Sequence, residues 1–316
     1  MTNYIRNVAI FGATGHVGSY FVKELLKTGK HNITAITRNE SSATFPEEVK
    51  VARADYASEQ SLVNALRGND LAVITLASTT KPETHEFIVN AAAKAGINWI
   101  VPNVYGSDPE NDRLNNDWAF GPTTINNIQH VVKSGANYIV LTGGYWYSWS
   151  LGGGEMCYGI DIKEKKAVFF DDGKAKLNTS TFSLFGKALA ALLSLPIKKE
   201  ADGNPAIEDW KNKAVYFSSF LVSQRDMLDS VHRAMGTTDK DWTIEYQNSE
   251  ERVKQGWETL RQGDRRGWVR AMYTRTFYPN GDGDYQSVKG VQNELLGLPE
   301  ENLDAVTKEV VDQALA

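Results

Sequence analysis

Short apolar runs alternate with amphipathic segments through the first half of the chain. Residues 5–11, 32–37, 49–53, 71–76, 99–102 and 138–141 carry the apolar runs, and their length and flanking turn residues predict buried strands. Between them, residues 19–27, 58–66, 82–95 and 123–133 place apolar side chains at helical spacing. This alternation predicts an α/β fold, a Rossmann-type doubly wound parallel sheet. The apolar run 71–76 reads as its centre, where helices cover both faces. Right-handed crossovers gather the strand exits at the carboxyl edge, so ligand chemistry is expected there.

After residue 150 the alternation stops. Ala167-Val168-Phe169-Phe170 runs into Asp171-Asp172-Gly173-Lys174, a hairpin signal. Residues 184–195 form an apolar helix, open to two readings, core or the face of a homodimer. Residues 214–217 read as a strand returning to the sheet, and 227–235, 250–262, 265–277 and 303–315 as helices. The expected organisation is a Rossmann domain over 1–150. A smaller α+β substrate-binding cap over 151–316 is interleaved with the sheet through part of 210–225.

The first strand breaks into Gly12-Ala13-Thr14-Gly15-His16-Val17-Gly18. In a strand, loop and helix context, Gly12 allows the tight turn, Gly15 lets the backbone approach a pyrophosphate and Gly18 lets the helix pack close to the sheet. The amides opening that helix hold the anion. Thr14, His16 and Val17 complete the loop, with His16 shaping it rather than doing chemistry. The next strand leads into Thr37-Arg38-Asn39, where a cation rather than a carboxylate meets the ribose. NADP(H) is therefore the expected cofactor, with Arg38 forking its 2′-phosphate; Glu40 is the nearest acid and the feature that would favour NAD. Asp55 is placed near the adenine edge, Ala77 and Ser78 beside the ribose, and Asn103 beside the nicotinamide.

Tyr145-Trp146-Tyr147-Ser148-Trp149 lies between Gly143-Gly144 and Gly152-Gly153-Gly154. Its aromatics are spaced for neither one helix face nor one strand face. Emerging at the carboxyl edge, Tyr145, Trp146 and Trp149 read as a wall of the substrate pocket. The 316 residues carry a net charge of −5, which leaves no basic footprint for nucleic acid or an anionic membrane. One cysteine, Cys157, excludes an internal disulfide and a multi-cysteine metal cluster and fits a reducing compartment. No metal site is expected. Residues 1–7 lack a secretory pattern and no apolar run approaches a membrane span, so the expected location is cytoplasmic.

The sequence resembles the NmrA-like and isoflavone-reductase-like group of atypical short-chain dehydrogenases, particularly its fungal branch in specialised metabolism. The resemblance rests on the glycine loop, Arg38, Trp99-Ile100-Val101-Pro102-Asn103-Val104-Tyr105-Gly106, Gly144-Tyr145-Trp146-Tyr147, and Phe170-Asp171-Asp172-Gly173 with Asn178-Thr179-Ser180-Thr181. It implies an NADPH-binding extended Rossmann fold and hydride transfer to a small molecule. The group's plant reductases carry a lysine near the start of the helix preceding the sixth strand. Here that helix opens Thr123-Thr124-Ile125-Asn126-Asn127, with Lys133 two turns later. The tyrosine and lysine of conventional short-chain dehydrogenases are also missing from their usual place, and Tyr285 with Lys289 matches their spacing by chance.

A developing alkoxide needs a held proton donor, whereas an iminium already carries its charge. The leading expectation is therefore an NADPH-dependent oxidoreductase of an apolar, nitrogen-containing small molecule of alkaloid type. Tyr105, Tyr147 and Glu155 are the expected proton-handling or substrate-orienting residues. Two other readings stand beside it: a cyclase of Diels–Alder type that retains NADP(H), and a non-enzymatic NADP(H) redox sensor of NmrA type.

Overall fold

The computed structural model describes residues 3–201 and 203–316. The first six strands and their helices follow in order: β1 Asn7–Phe11, α1 His16–Thr28, β2 Asn32–Arg38, β3 Val49–Ala54, α2 Glu59–Leu66, β4 Leu71–Ile74, α3 Pro82–Lys94, β5 Trp99–Val101, α4 Asp112–Asp117, α5 Gly121–Ser134 and β6 Asn137–Thr142. Beyond them come β7 Tyr145–Trp146, α6 Tyr147–Gly152, β8 Ile160–Asp161, β9 Lys166–Phe170, β10 Lys176–Ser180, α7 Phe182–Leu193, β11 Lys213–Tyr216 and β12 Phe220–Ser223. The chain closes with α8 Gln224–Met235, β13 Thr243–Gln247, α9 Ser249–Arg261, α10 Arg266–Thr276, α11 Gln286–Lys289 and α12 Leu303–Leu315.

The central sheet has the order β11-β6-β5-β4-β1-β2-β3 and every pairing in it is parallel. Strand order reverses between β1 and β4, the switch point at which a doubly wound sheet opens a crevice. All four β4 residues are buried, as the apolar run predicts. Helices α2, α3 and α5 pack one face around Leu62, Ile88 and Val131, while α1 and α7 pack the other around Phe21, Leu25, Phe185 and Leu189. The apolar helix α7 is therefore core: Gly186 sits so close to the Tyr20 carbonyl that a Cβ would lie 2.7 Å from it. Strand β11 joins the sheet beside β6.

Two small sheets, β12-β10-β7 and β13-β9-β8, build the second lobe around Tyr147, Tyr158, Phe169, Phe170 and Phe277. The hairpin expected at 171–174 is a turn without a hairpin. Gly173 donates to Phe170 O at 2.9 Å, but β9 pairs with β13 and β10 with β12, so the flanking strands enter different sheets. The turn chemistry is local; β9 pairs with β8 and β13 and β10 with β7 and β12, so neither strand pairs across the turn. Among the described residues, no helix is long and apolar enough to cross a membrane.

Candidate functional site

The carboxyl edge of the sheet is held open by backbone geometry. Gly12 adopts φ 69°, and a Cβ there would lie 1.9 Å from Thr75 O. Thr75 Oγ1 donates to Phe11 O at 2.7 Å and lies 3.1 Å from Gly12 O, fastening the end of β4 to the loop. Gly18 approaches the same turn, since its Cβ would fall 2.2 Å from Gly12 O. Gly15 caps α1 without any side-chain cap, and the first turn contains no acidic residue. Thr14, Gly15 and His16 are exposed while Val17 is buried behind them. An uncapped helix start of this kind presents its free N–H groups and positive dipole end to an anion, which fits a dinucleotide pyrophosphate.

Arg38 ends β2 with its side chain 69% exposed. The turn brings Glu40 back to it, 3.4 Å from Arg38 Nε, but both side chains are largely exposed and such a pair is weak. Asp55 closes a turn after β3, accepting from Ala57 N–H at 2.8 Å. Ala77 and Ser78 lie exposed in the turn after β4. Asn103 stands at the β5 exit, but its amide is committed to the protein. Its Oδ1 accepts from Leu76 N–H at 3.0 Å and its Nδ2 donates to Leu76 O at 3.2 Å, clipping two strand exits together.

Below Asn103 lies a histidine pair. Its N–H donates to His85 Nε2 at 3.3 Å, and His85 Nδ1 faces His130 Nδ1 at 3.2 Å. With Nε2 accepting, the neutral His85 carries its proton on Nδ1 and His130 Nδ1 accepts. Burial, with His130 next, pulls the His85 pKa down to about 3. His130 lies half-buried on α5, its side chain 13% exposed.

The aromatic stretch is not one loop. Tyr145–Trp146 pairs with β10, and Tyr147–Gly152 is helix α6. Helical spacing then sends Tyr147, Ser150 and Leu151 inward and leaves Trp149 53% exposed. Trp149 lies 4.6 Å from the His16 ring, and Phe182 stacks on His16 at 5.8 Å and on Tyr20 at 5.9 Å. Trp146 meets Phe182 at 5.0 Å. An aromatic surface thus borders the glycine loop. Tyr145 instead stacks on Tyr273 at 4.3 Å and donates to Met272 O at 3.0 Å within the second lobe.

Each of the three residues expected to handle protons is engaged with another protein group. Tyr105 is buried and donates to Ile74 O at 2.8 Å; Tyr147 is fully buried with its hydroxyl 2.7 Å from Thr307 Oγ1. Burial pushes both phenols well above their ordinary pKa. Glu155 pairs with Arg252 at 2.7 Å, and Arg252 also reaches Glu155 O, Thr274 and Gln247. Tyr285 and Lys289 are likewise engaged, with Phe217 O and Glu110. Sequence reading missed Thr75, Phe182 and His85, whose roles depend on partners from other strands and helices. Only Thr75, a hydroxyl ending an apolar strand, carried a local signal.

Residues 12–146 match the NAD(P)H-binding family. Oxidoreductase aprR of Aspergillus flavus is 25% identical over 312 residues, covering 96% of this chain and 98% of the relative. The NADPH-dependent quinone oxidoreductase QOR2 of Escherichia coli, solved with NADPH, superposes with a TM-score of 0.68 at 20% identity, covering 98% of this chain and 100% of that one. An isoflavone reductase superposes with a TM-score of 0.73 at 18% identity, covering 98% and 99%. The expected fold and cofactor class are thereby borne out. Residues 12–146 are similar to the NAD(P)H-binding family, in a chain with the Rossmann-type fold of isoflavone reductase and a fungal oxidoreductase relative along its length.

Proposed function

We propose that the protein is an NADPH-dependent reductase of an apolar small molecule whose reducible carbon is already electron-poor, with a nitrogen-containing imine or iminium first among candidates. The carrying observation is that the hydroxyls of Tyr105, Tyr145 and Tyr147 are all engaged with other protein groups. Bound NADPH supplies a hydride. Helix α1 and its glycine loop hold the pyrophosphate, Arg38 takes the 2′-phosphate, and Trp149, Phe182 and Trp146 offer aromatic faces beside the loop. Such faces bury a planar apolar molecule and favour a cation. When an iminium carbon accepts a hydride, its C=N electron pair moves onto nitrogen and neutralises the charge. No proton is required from the protein. Conjugated acceptors such as quinones, named in the QOR2 relative, spread the incoming charge and make a second substrate class.

The test follows NADPH oxidation with a cyclic iminium, a quinone and a simple ketone of equal size. The iminium is expected to exceed the ketone in kcat/KM by at least about 100-fold, the scale of a missing general acid. Equal rates on the ketone would overturn the reading. Formation of a new ring without cofactor oxidation would replace it with a cyclase.

A further inference from the structure

The cation expected at the 2′-phosphate is presented by a turn, and that turn is held by a second guanidinium. Strands β2 and β3 run parallel with Thr37 opposite Arg53 and Arg38 opposite Ala54. From this position Arg53 Nη1 donates to Asn39 O at 3.0 Å and to Ser41 O at 2.7 Å. Ser41 N–H donates to Arg38 O at 3.1 Å, closing the turn, and Ala43 N–H donates to Ser41 Oγ at 3.2 Å. A trans peptide points its N–H away from its carbonyl. Drawing the Asn39 and Ser41 carbonyls onto Arg53 therefore turns the N–H groups of Glu40 and Ser42 to the opposite side. Among the described residues, Arg53 Nε and Nη2 have no hydrogen-bond partner, so much of the fork remains available.

We infer that Arg53 is a positioning residue for the 2′-phosphate of NADP(H). It fixes the turn carrying Arg38, Ser41 and Ser42 and adds a second positive charge beside Arg38. The inference rests on the assignment of Arg38 to that phosphate. It explains how an exposed arginine beside Glu40 can serve selectivity. Arg38 alone is a long, mobile side chain with an acid next to it, and a fixed turn lowers the ordering cost of using it. The ligand class is a phosphate monoester on a ribose, and the discriminating partner is the same nucleotide without that phosphate.

The experiment titrates the full-length protein and its Arg38→Ala, Arg53→Ala, Arg53→Gln and Arg53→Lys variants with NADPH and NADH by calorimetry. Thermal unfolding serves as the folding control. Arg53→Ala is expected to raise the Kd for NADPH about tenfold while moving that for NADH less than about twofold. Arg53→Lys, which keeps the charge and can donate to the carbonyls, restores most of the selectivity. Arg53→Gln, which keeps a donor without charge, falls between, and its position apportions clasp against charge. Equal weakening toward both nucleotides, or no change toward either, overturns the inference. Loss of NADPH preference in Arg38→Ala but not in Arg53→Ala rejects Arg53 alone. No loss in Arg38→Ala removes the phosphate assignment and the inference with it.

Discussion

The edge of the central sheet and the interior of the second lobe treat their polar groups in opposite ways. At the edge, the start of α1 carries no side-chain cap, and Thr14, Gly15 and His16 face solvent. In the second lobe, Tyr147 is closed onto Thr307, Tyr158 onto Thr179, Ser150 onto Tyr273, and Arg252 onto Glu155 and Thr274. A buried polar group must find a partner or lose its solvation, so a dense core of tyrosines and arginines is a sealed network. An exposed helix start can leave its donors for a ligand. The titratable side chains of the second lobe are therefore spoken for, while the start of α1 has no side-chain cap to compete with a ligand.

Four measurements sharpen that contrast. The largest effect is expected for Gly12→Ala. A methyl group 1.9 Å from Thr75 O, at a positive φ, must displace backbone. NADPH binding is expected to weaken by about 100-fold or more, with a stability loss of about 4 kcal/mol; unchanged binding by calorimetry would detach the loop from the cofactor. Next is Arg252→Met in the sealed lobe. Glu155 keeps Arg270 at 3.5 Å, but Thr274 Oγ1, Gln247 Oε1 and Glu155 O lose their buried donor, which should cost about 3 kcal/mol in urea unfolding. NADPH affinity of the folded fraction should stay within about twofold, because the network does not face the loop.

The third effect is acid sensitivity from the histidine pair. His85 has a folded pKa of about 3, below its ordinary 6.5, so the unfolded chain takes up the proton first. Its contribution is intact above about pH 6.5 and declines as pH falls toward 3, by up to about 3 kcal/mol at pH 4. His85→Gln should flatten the pH dependence of urea unfolding between pH 6.5 and 4; an unaltered slope would assign the acid loss elsewhere. The smallest is Tyr147→Phe, which deletes one buried hydrogen bond. A stability loss of about 1 kcal/mol with turnover unchanged within about twofold is expected. A loss of turnover without loss of stability would return Tyr147 to the chemistry.

Much of the architecture was legible because it is encoded by period and punctuation. Strands β1 to β6 and helices α1, α2, α3 and α5 fall within a few residues of the apolar runs and helical segments that predict them. The glycine loop was legible for the same reason: three glycines between a strand and a helix satisfy local steric demands. The aromatic stretch misled because its secondary structure changes inside it. Tyr145 and Trp146 follow a strand, and Tyr147 begins a helix, so neither period describes the whole. The turn at 171–174 misled because turn chemistry bends a chain without choosing the partners of the flanking strands.

By itself the sequence determined the alternating sheet, the glycine loop and the arginine that ends β2, since each follows from spacing and steric need over a few residues. Tertiary structure alone decided which side chains are available. It closed Tyr105 onto Ile74, Tyr147 onto Thr307 and Asn103 onto Leu76, and it set Arg53 beside the turn that carries Arg38. Those partners come from different segments, and a hydrogen bond consumes a group only when the packed chain brings its partner within about 3 Å.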